Sequence, residues 1–233
     1  AYLLSSVSAQ ATFFSNVENM PRKWGRSVYY DALCRELPVV RRQDVTSLVD
    51  PDAEIPFRTK DSCTQCHASM DRTSALLRNF QYMITGSAVG VDRGEWGIEH
   101  FYFADIDESI SDEEAKAWPT SASANYLNSK PYGRLYFRNY QGELIDREVA
   151  SIPELGQVLS ELEDTYICAT KRYYQHFTGI DVATGDPGDP EKPLNLSPVD
   201  EKHRSVVIAI GKAFARHKDP NRVIEAILRS PGY

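Results

Sequence analysis

The pentapeptide Cys-Thr-Gln-Cys-His, which begins at Cys63, constrains this chain more than any other feature of its sequence. Residues three apart lie on the same side of a helix, so a helix that Asp61 or Ser62 caps presents Cys63 and Cys66 side by side. Each thiol can then form a thioether with a vinyl group of one porphyrin, and the adjacent His67 can reach the iron as its proximal ligand. The spacing therefore predicts one covalently bound haem c, because Cys-x-x-Cys-His is the attachment signature of that cofactor.

Two other chemistries use a Cys-x-x-Cys pair, and each has less support. A zinc site needs a second pair of ligands, but Cys34 and Cys168 form no second such pair and no His-x-x-x-His follows the motif. A thioredoxin-like dithiol would follow a strand in a βαβ unit, and the sequence shows no such pattern.

The two remaining cysteines, Cys34 and Cys168, each fall in a predicted helix among apolar neighbours. Haem c is matured on the oxidising side of a membrane, where disulfides also persist. We therefore expect a disulfide between these two cysteines, with a pair of buried free thiols as the alternative.

No motif fixes the sixth ligand of the iron. An electron-carrying haem usually has a second protein ligand, commonly Met or His. Met83, on the apolar side of the segment after the motif, and His176, among aromatic residues, are the leading distal candidates. The further candidates are Met20, His100, His203 and His217. For each, the alternative is a core methionine or a hydrogen-bonded histidine, and an open sixth position would permit peroxide or small-ligand chemistry.

The pattern of apolar residues predicts a mainly α fold in three parts. Residues 1–83 form a cytochrome-c-like helical haem region, residues 84–150 a small β-containing insertion, and residues 151–233 a C-terminal helical region that packs on the haem core. Within the first part, helical spacing predicts one helix from Trp24 to Leu37 that Pro38 ends, and another from about Ser74 to Met83.

Turn and cap residues place the later elements. The sequence from Tyr140 to Glu143 predicts a hairpin turn between two short strands. A helix should open at Ile152, carry apolar residues as far as Tyr173 and end at Gly179. Residues 181–198 should form a loop, and two more helices should start at Ser197-Pro198 and Asp219-Pro220, with the polar residue as the cap and proline in the first turn.

The net charge of the chain limits the classes of partner that it can bind. The formal net charge is −7 and the pI is about 5.3, which disfavours nucleic acid because nucleic-acid binding needs a basic surface. No stretch approaches the roughly 20 apolar residues that span a bilayer. The chain begins with Ala, and we expect a processed or truncated product from which an export signal has been removed.

Several segments together resemble the planctomycete-type cytochrome c domain and the small helical domain that usually follows it. The first segments are Asp61 to Asp71 with its Met-Asp pair, Ala75 to Phe80, and Arg22 to Cys34 followed by Leu37-Pro38. The C-terminal ones are Leu155 to Leu162, Cys168, Tyr174 to Gly179 and Ile227 to Pro231.

This resemblance implies an exported haem protein, on the periplasmic or extracellular side of a bacterial membrane, that belongs to a longer polypeptide or a multi-subunit assembly. It carries over only Cys63, Cys66 and His67 as haem residues. The chain departs from the family pattern at Arg72, where the family has proline, and in its longer insertion at residues 84–135.

Three functions are compatible with a covalent haem. The first is an electron-transfer cytochrome that works with a redox partner protein or with other subunits of a complex. The second is a peroxidase-like or oxidase-like haem enzyme with an open sixth position. The third is a structural assembly subunit that covalent haem stabilises. We expect the non-catalytic electron carrier.

Overall fold

The helix that carries Trp24 packs its apolar side into the core, as its spacing predicts. The computed structural model describes residues 19–84, 98–118 and 128–230. Helix α1 spans Asn19–Ser27 and continues as one turn of π-helix, Val28–Ala32. Of the four residues whose helical spacing predicts the apolar side, Val28, Tyr29 and Leu33 are buried and Leu37 is partly buried. Trp24 is buried as well. The helix ends earlier than predicted, because Cys34 takes a left-handed φ of 53° before Pro38 is reached.

The motif lies on helix α3, and the segment after it differs from the prediction. The short helix α2, Arg42–Val45, and the 3-10 turns Thr46–Leu48 and Pro56–Arg58 precede α3, which spans Asp61–Ser74. A 3-10 turn, Ala75–Leu77, follows.

The predicted helix from Ser74 to Met83 is wrong, because strand β1, Phe80–Ile84, pairs antiparallel with β2, Ile98–Phe103. The amide of Ala104 donates to the carbonyl of Asn79 over 2.7 Å and extends this pairing. A short apolar run is compatible with a helix or with a strand, and here pairing with β2 makes it a strand.

The predicted hairpin is confirmed. After the short helix α4, Asp112–Lys116, strand β3, Gly133–Arg138, pairs with β4, Leu144–Val149. Gly142 in the turn has a φ of 83°, a conformation that glycine adopts at no steric cost. Strand β3 lies against α3, where Ser69 Oγ donates to the carbonyl of Tyr136 over 2.7 Å.

The C-terminal helices begin and end largely where the cap residues predict. They are α5, Ile152–Glu161; α6, Glu163–Thr178; α7, Pro198–His217; and α8, Pro220–Leu228. Ser197 and Asp219 cap α7 and α8, and Gly179 ends α6 in the left-handed conformation. The predicted single helix from Ile152 is instead divided at Leu162, whose extended ψ of 130° separates α5 from α6.

Three clusters of buried apolar side chains form the core of the described residues, and a disulfide connects the elements around them. The first cluster includes Trp24, Tyr29, Leu135, Phe137 and Leu155. The second includes Ile167, Tyr174, Val207, Val223 and Ile227. The smallest cluster consists of Val40, Val45, Ala68 and Tyr136. The predicted disulfide between Cys34 and Cys168 is present and connects the residue at which the helix of Trp24 ends to α6.

Residues 179–197, here called the connecting segment, form neither helix nor strand, as predicted for residues 181–197. Their side chains and carbonyl groups nevertheless bind residues 35–41, which are far away in the sequence. Arg41 donates to both carboxylate oxygens of Asp186, over 2.7 and 2.9 Å. Lys192 Nζ donates to the carbonyl of Leu37 over 3.2 Å. Buried Arg35 donates to the carbonyl of Thr184.

The described part of the chain is therefore mainly helical, as predicted. Among its helices, none is both long enough and apolar enough to cross a membrane.

Candidate functional site

The motif residues form one half-exposed stripe along α3. Cys63, Cys66, His67 and Met70 are partly exposed, and they recur with the three- and four-residue spacing of a single helix face. The side chains between them are buried against the rest of the protein: Thr64, Gln65, Ala68 and Ser69. The two thiols and the imidazole therefore face the same way, out of the core, as the motif predicts.

Hydroxyl groups and a glycine hold α3 in this orientation. Thr64 Oγ1 donates to the carbonyl of Phe57 over 3.1 Å, and Thr73 Oγ1 donates to the carbonyl of Arg134 over 3.0 Å. A Cβ on Gly25 would lie 2.5 Å from the carbonyl oxygen of Met70, so α1 packs directly on the backbone of α3. The prediction that Asp61 or Ser62 caps the helix is wrong, because Lys60 occupies that position.

One ring nitrogen of His67 is already engaged. Its Nδ1 lies 2.9 Å from Oδ2 of Asp71, one turn further along α3. A carboxylate only accepts hydrogen bonds, so Nδ1 carries the proton and donates a hydrogen bond to Asp71. In the neutral imidazole, the lone pair is then on Nε2, the nitrogen that can bind a metal.

The opposite side of Asp71 is held by α1. Arg22 donates to the Asp71 carboxylate through Nε over 3.0 Å and through Nη2 over 3.4 Å. Asp71 is only 5% exposed. Arg22, Asp71 and His67 thus form a continuous chain of charge-assisted hydrogen bonds that links α1 to the motif.

An aromatic ring covers one face of the imidazole. Phe57, in the 3-10 turn before α3, stacks on His67, and Trp118 lies 6.3 Å from Phe57 between ring centroids. The guanidinium of Arg22 lies 5.1 Å from the centroid of the same Phe57 ring. The orientation of His67 is therefore fixed by a hydrogen bond in its plane and by a ring against its face.

Both motif cysteines are free thiols. Burial raises the pKa of the Cys66 thiol; the positive charge of Lys192 opposes this shift and the neighbouring Cys63 adds to it. A redox-active dithiol depends on a lowered thiol pKa, and the surroundings of Cys66 act in the other direction. The helix also follows a 3-10 turn, not the strand that a thioredoxin-like motif requires.

A zinc site would need other ligands. The chain has four cysteines in total, and Cys34 and Cys168 are already used in the disulfide. Within residues 19–84, 98–118 and 128–230, no group of three or more His, Cys, Asp or Glu side chains converges as metal ligands.

The residues of the stripe fit a haem c. Two thiols one turn apart on one helix face match the two thioether bonds, and His67 presents Nε2 with its other nitrogen already satisfied. Half exposure leaves all three side chains reachable from one side.

The distal candidates lie in different places. His176 is exposed on α6, with its ring edge against Phe177 at 5.1 Å between centroids. Met83 lies in β1, where it pairs with His100 of β2. The side chains of Met83, His100 and Met20 lie outside the described part of the chain. Both leading candidates stay predictions.

The other two histidines have local hydrogen bonds. His203 Nδ1 lies 2.7 Å from the hydroxyl of Tyr174, and His217 Nδ1 accepts from the amide of Asp219 over 3.0 Å. Met70 lies on the same stripe as His67, one turn away.

The sequence did not point to the surroundings of His67. The spacing of four residues between His67 and Asp71 was a usable signal, because such pairs adjoin on a helix. Nothing in the sequence connects Phe57 or Arg22 to the motif, since both contacts depend on how the preceding segments fold back onto α3.

Comparison with protein-family models, with curated proteins and with solved structures finds no match for this chain. The resemblance to planctomycete-type cytochrome c domains therefore stays an interpretation of its residues.

Proposed function

We propose that this protein is a monohaem c-type cytochrome with a cytochrome-c-like core. Cys63 and Cys66 bind the porphyrin covalently, and His67 is the proximal ligand of its iron. The protein carries electrons for a redox partner protein or for other subunits of an exported assembly.

The arrangement of His67 on α3 is the observation that carries this proposal. The imidazole lies on the same half-exposed stripe as both thiols. Its Nδ1 is bound to Asp71 at 2.9 Å, and a metal-binding histidine characteristically has such a partner on its second nitrogen. A histidine with a purely structural role would have no need of two free cysteines on the same stripe.

Each residue has a defined task in this proposal. When bound, the haem supplies an iron that gains and loses one electron. Cys63 and Cys66 hold the cofactor in place. His67 offers Nε2, Asp71 keeps the proton on Nδ1, and Phe57 restricts rotation of the ring.

The disulfide supports a location outside the cytoplasm. Disulfides persist in oxidising compartments and are rare in reducing ones. The pairing of Cys34 with Cys168 therefore agrees with export to the periplasmic or extracellular side of a bacterial membrane, where covalent haem is also attached.

The decisive experiment is expression with a c-type haem maturation system, followed by intact-mass and pyridine haemochrome analysis. We expect the mass of one covalent haem. The Cys63→Ala/Cys66→Ala variant should lose it, whereas the matched Cys34→Ala/Cys168→Ala variant, which also removes two cysteines, should keep it. A purified protein with the mass of the bare polypeptide, or with zinc instead of iron, would contradict the proposal.

A spectrum of the reduced protein then separates electron transfer from catalysis. We expect a low-spin spectrum that carbon monoxide does not change, because an electron carrier keeps both axial ligands. A high-spin spectrum that shifts with carbon monoxide or peroxide would indicate the haem enzyme instead. A haem that exchanges electrons with no partner and is needed only for folding would indicate the structural role.

A further inference from the structure

We infer that Asp71 and Arg22 together set the reduction potential of the haem that His67 binds, with Asp71 lowering it and Arg22 limiting that effect. This inference rests on the proposed function. Both act through His67, so both are positioning residues and not ligands.

Asp71 is buried and lies in direct contact with the imidazole of His67. Its side chain is 7% exposed, and Oδ2 lies 2.9 Å from Nδ1 of His67. By contrast, Asp61 in the first turn of the same helix is 43% exposed, and its nearest ion-pair partner is Arg42 at 3.5 Å. The two carboxylates share a helix but differ in burial and in contact with the imidazole.

A buried carboxylate on Nδ1 changes the donor strength of Nε2. The negative oxygen draws the Nδ1 proton towards itself and leaves more electron density on the ring, which makes the imidazole a more basic ligand. A more basic ligand favours the oxidised iron and lowers the reduction potential. Low exposure strengthens this effect, because little water screens the carboxylate.

Arg22 competes with His67 for the same carboxylate. Its Nε binds Oδ1 over 3.0 Å, and its Nη2 lies 3.4 Å from Oδ2, the oxygen that also faces His67. The guanidinium withdraws charge from Asp71 and weakens its pull on the imidazole proton. Arg22 is 35% exposed, so a neutral replacement can be solvated and should leave the fold intact.

The two residues therefore make opposite predictions. With a haem-loaded full-length chain, Asp71→Asn should move the midpoint potential in the positive direction. Arg22→Gln should move it in the negative direction, because the guanidinium then no longer withdraws charge from the oxygen that faces His67. Asp61→Asn is the matched control: it removes one carboxylate from the same helix and should shift the potential less than Asp71→Asn does.

The test combines spectroelectrochemical titration with proton NMR of the reduced protein. A hydrogen bond to a carboxylate moves the Nδ1 proton of His67 downfield, so this signal should move upfield in Asp71→Asn and stay in place in Asp61→Asn. If Asp71 had only a structural role, Asp71→Asn would leave the Nδ1 proton signal in place and would shift the midpoint potential no more than Asp61→Asn does. That result would overturn the inference. Arg22→Gln supplies an independent test if Asp71→Asn does not fold.

The haem content of the unsubstituted protein separates the two proposals. A protein without covalent haem would overturn the proposed function and this inference together. A haem-loaded protein in which Asp71→Asn shifts the potential no more than Asp61→Asn would overturn the inference alone.

Discussion

The ring of Phe57 lies flat on the imidazole of His67, with 3.9 Å between the ring centroids and 10° between the ring planes. The two residues belong to consecutive elements, and the stack leaves the ring edge that carries Nε2 uncovered by Phe57. The contact therefore orients the imidazole without competing for the nitrogen that would bind iron.

Replacing Phe57 should loosen His67. We expect Phe57→Ala to lower the free energy of unfolding by about 1 kcal/mol for the lost ring pair alone, with a further loss from burial of the ring. Urea unfolding and the width of the low-spin haem bands would measure the two effects. Tyr166→Ala, which removes a partly buried ring that packs on Phe214, should leave the haem bands unchanged; equal broadening in both variants would contradict a specific role for Phe57.

A methyl group at Gly25 should separate α1 from α3. The new Cβ would lie 2.5 Å from the backbone oxygen of Met70, and backbone cannot move aside as a flexible side chain can. We expect Gly25→Ala to destabilise the protein by about 1–3 kcal/mol, because the cost of the clash exceeds the stabilisation that alanine gives a helix relative to glycine. At Gly185 the added Cβ would meet Leu194 at an ordinary 3.4 Å, so Gly185→Ala should change stability by less than about 0.5 kcal/mol. Similar values for both variants in urea unfolding would show that the close approach is not rigid.

Loss of the disulfide should be costly and independent of which cysteine is removed. The bridge spans 134 residues, and the chain-entropy model gives about 5 kcal/mol for a loop of that length. Cys34→Ala, Cys168→Ala and the double variant should lose the same free energy of unfolding, because each removes the whole crosslink. Additive losses, or a loss below about 1 kcal/mol in the double variant, would contradict this.

Alkaline pH should destabilise the protein in part through Tyr29. Burial raises the pKa of its hydroxyl from about 10 to about 12. Below the lower value Tyr29 is protonated in both the folded and the unfolded state. Between the two values it ionises only in the unfolded state, so stability falls as pH rises, by up to about 1.4 kcal/mol per pH unit.

The Tyr29→Phe variant isolates this contribution. At neutral pH it should be less stable than the unsubstituted protein, because the hydrogen bonds of the Tyr29 hydroxyl to Thr73 and Tyr136 are lost. The difference should shrink above about pH 10, where only the unsubstituted protein pays the ionisation penalty. Urea midpoints across this range would measure the difference, and a constant difference would rule out the contribution of Tyr29.

Local signals in the sequence predicted the ends of several elements. Ser197, Asp219 and Gly179 act through their own side chain or φ angle, so their effect is visible without knowledge of the fold. The same holds for the hairpin turn at Gly142 and for the stripe of the motif, which needs only the helical period.

Contacts between residues far apart in the sequence determine the elements that were predicted wrongly. Leu76, Leu77 and Phe80 have helical spacing, but pairing between β1 and β2 makes the segment from Phe80 onwards a strand. The helix that carries Trp24 ends at Cys34, which has a left-handed φ and is bonded to Cys168. No local pattern carries information about such partners, and the same limitation applies to the ring of Phe57 beside His67.

The connecting segment has a consequence for protein engineering. Thr184, Asp186 and Lys192 bind three separate points of the N-terminal part of the chain, so the number of residues between them is set by the distances between those points. A tag or reporter inserted between any two of them would break at least one anchor. A segment without helix or strand usually tolerates insertions best, but the length of this one is fixed by its three anchor points.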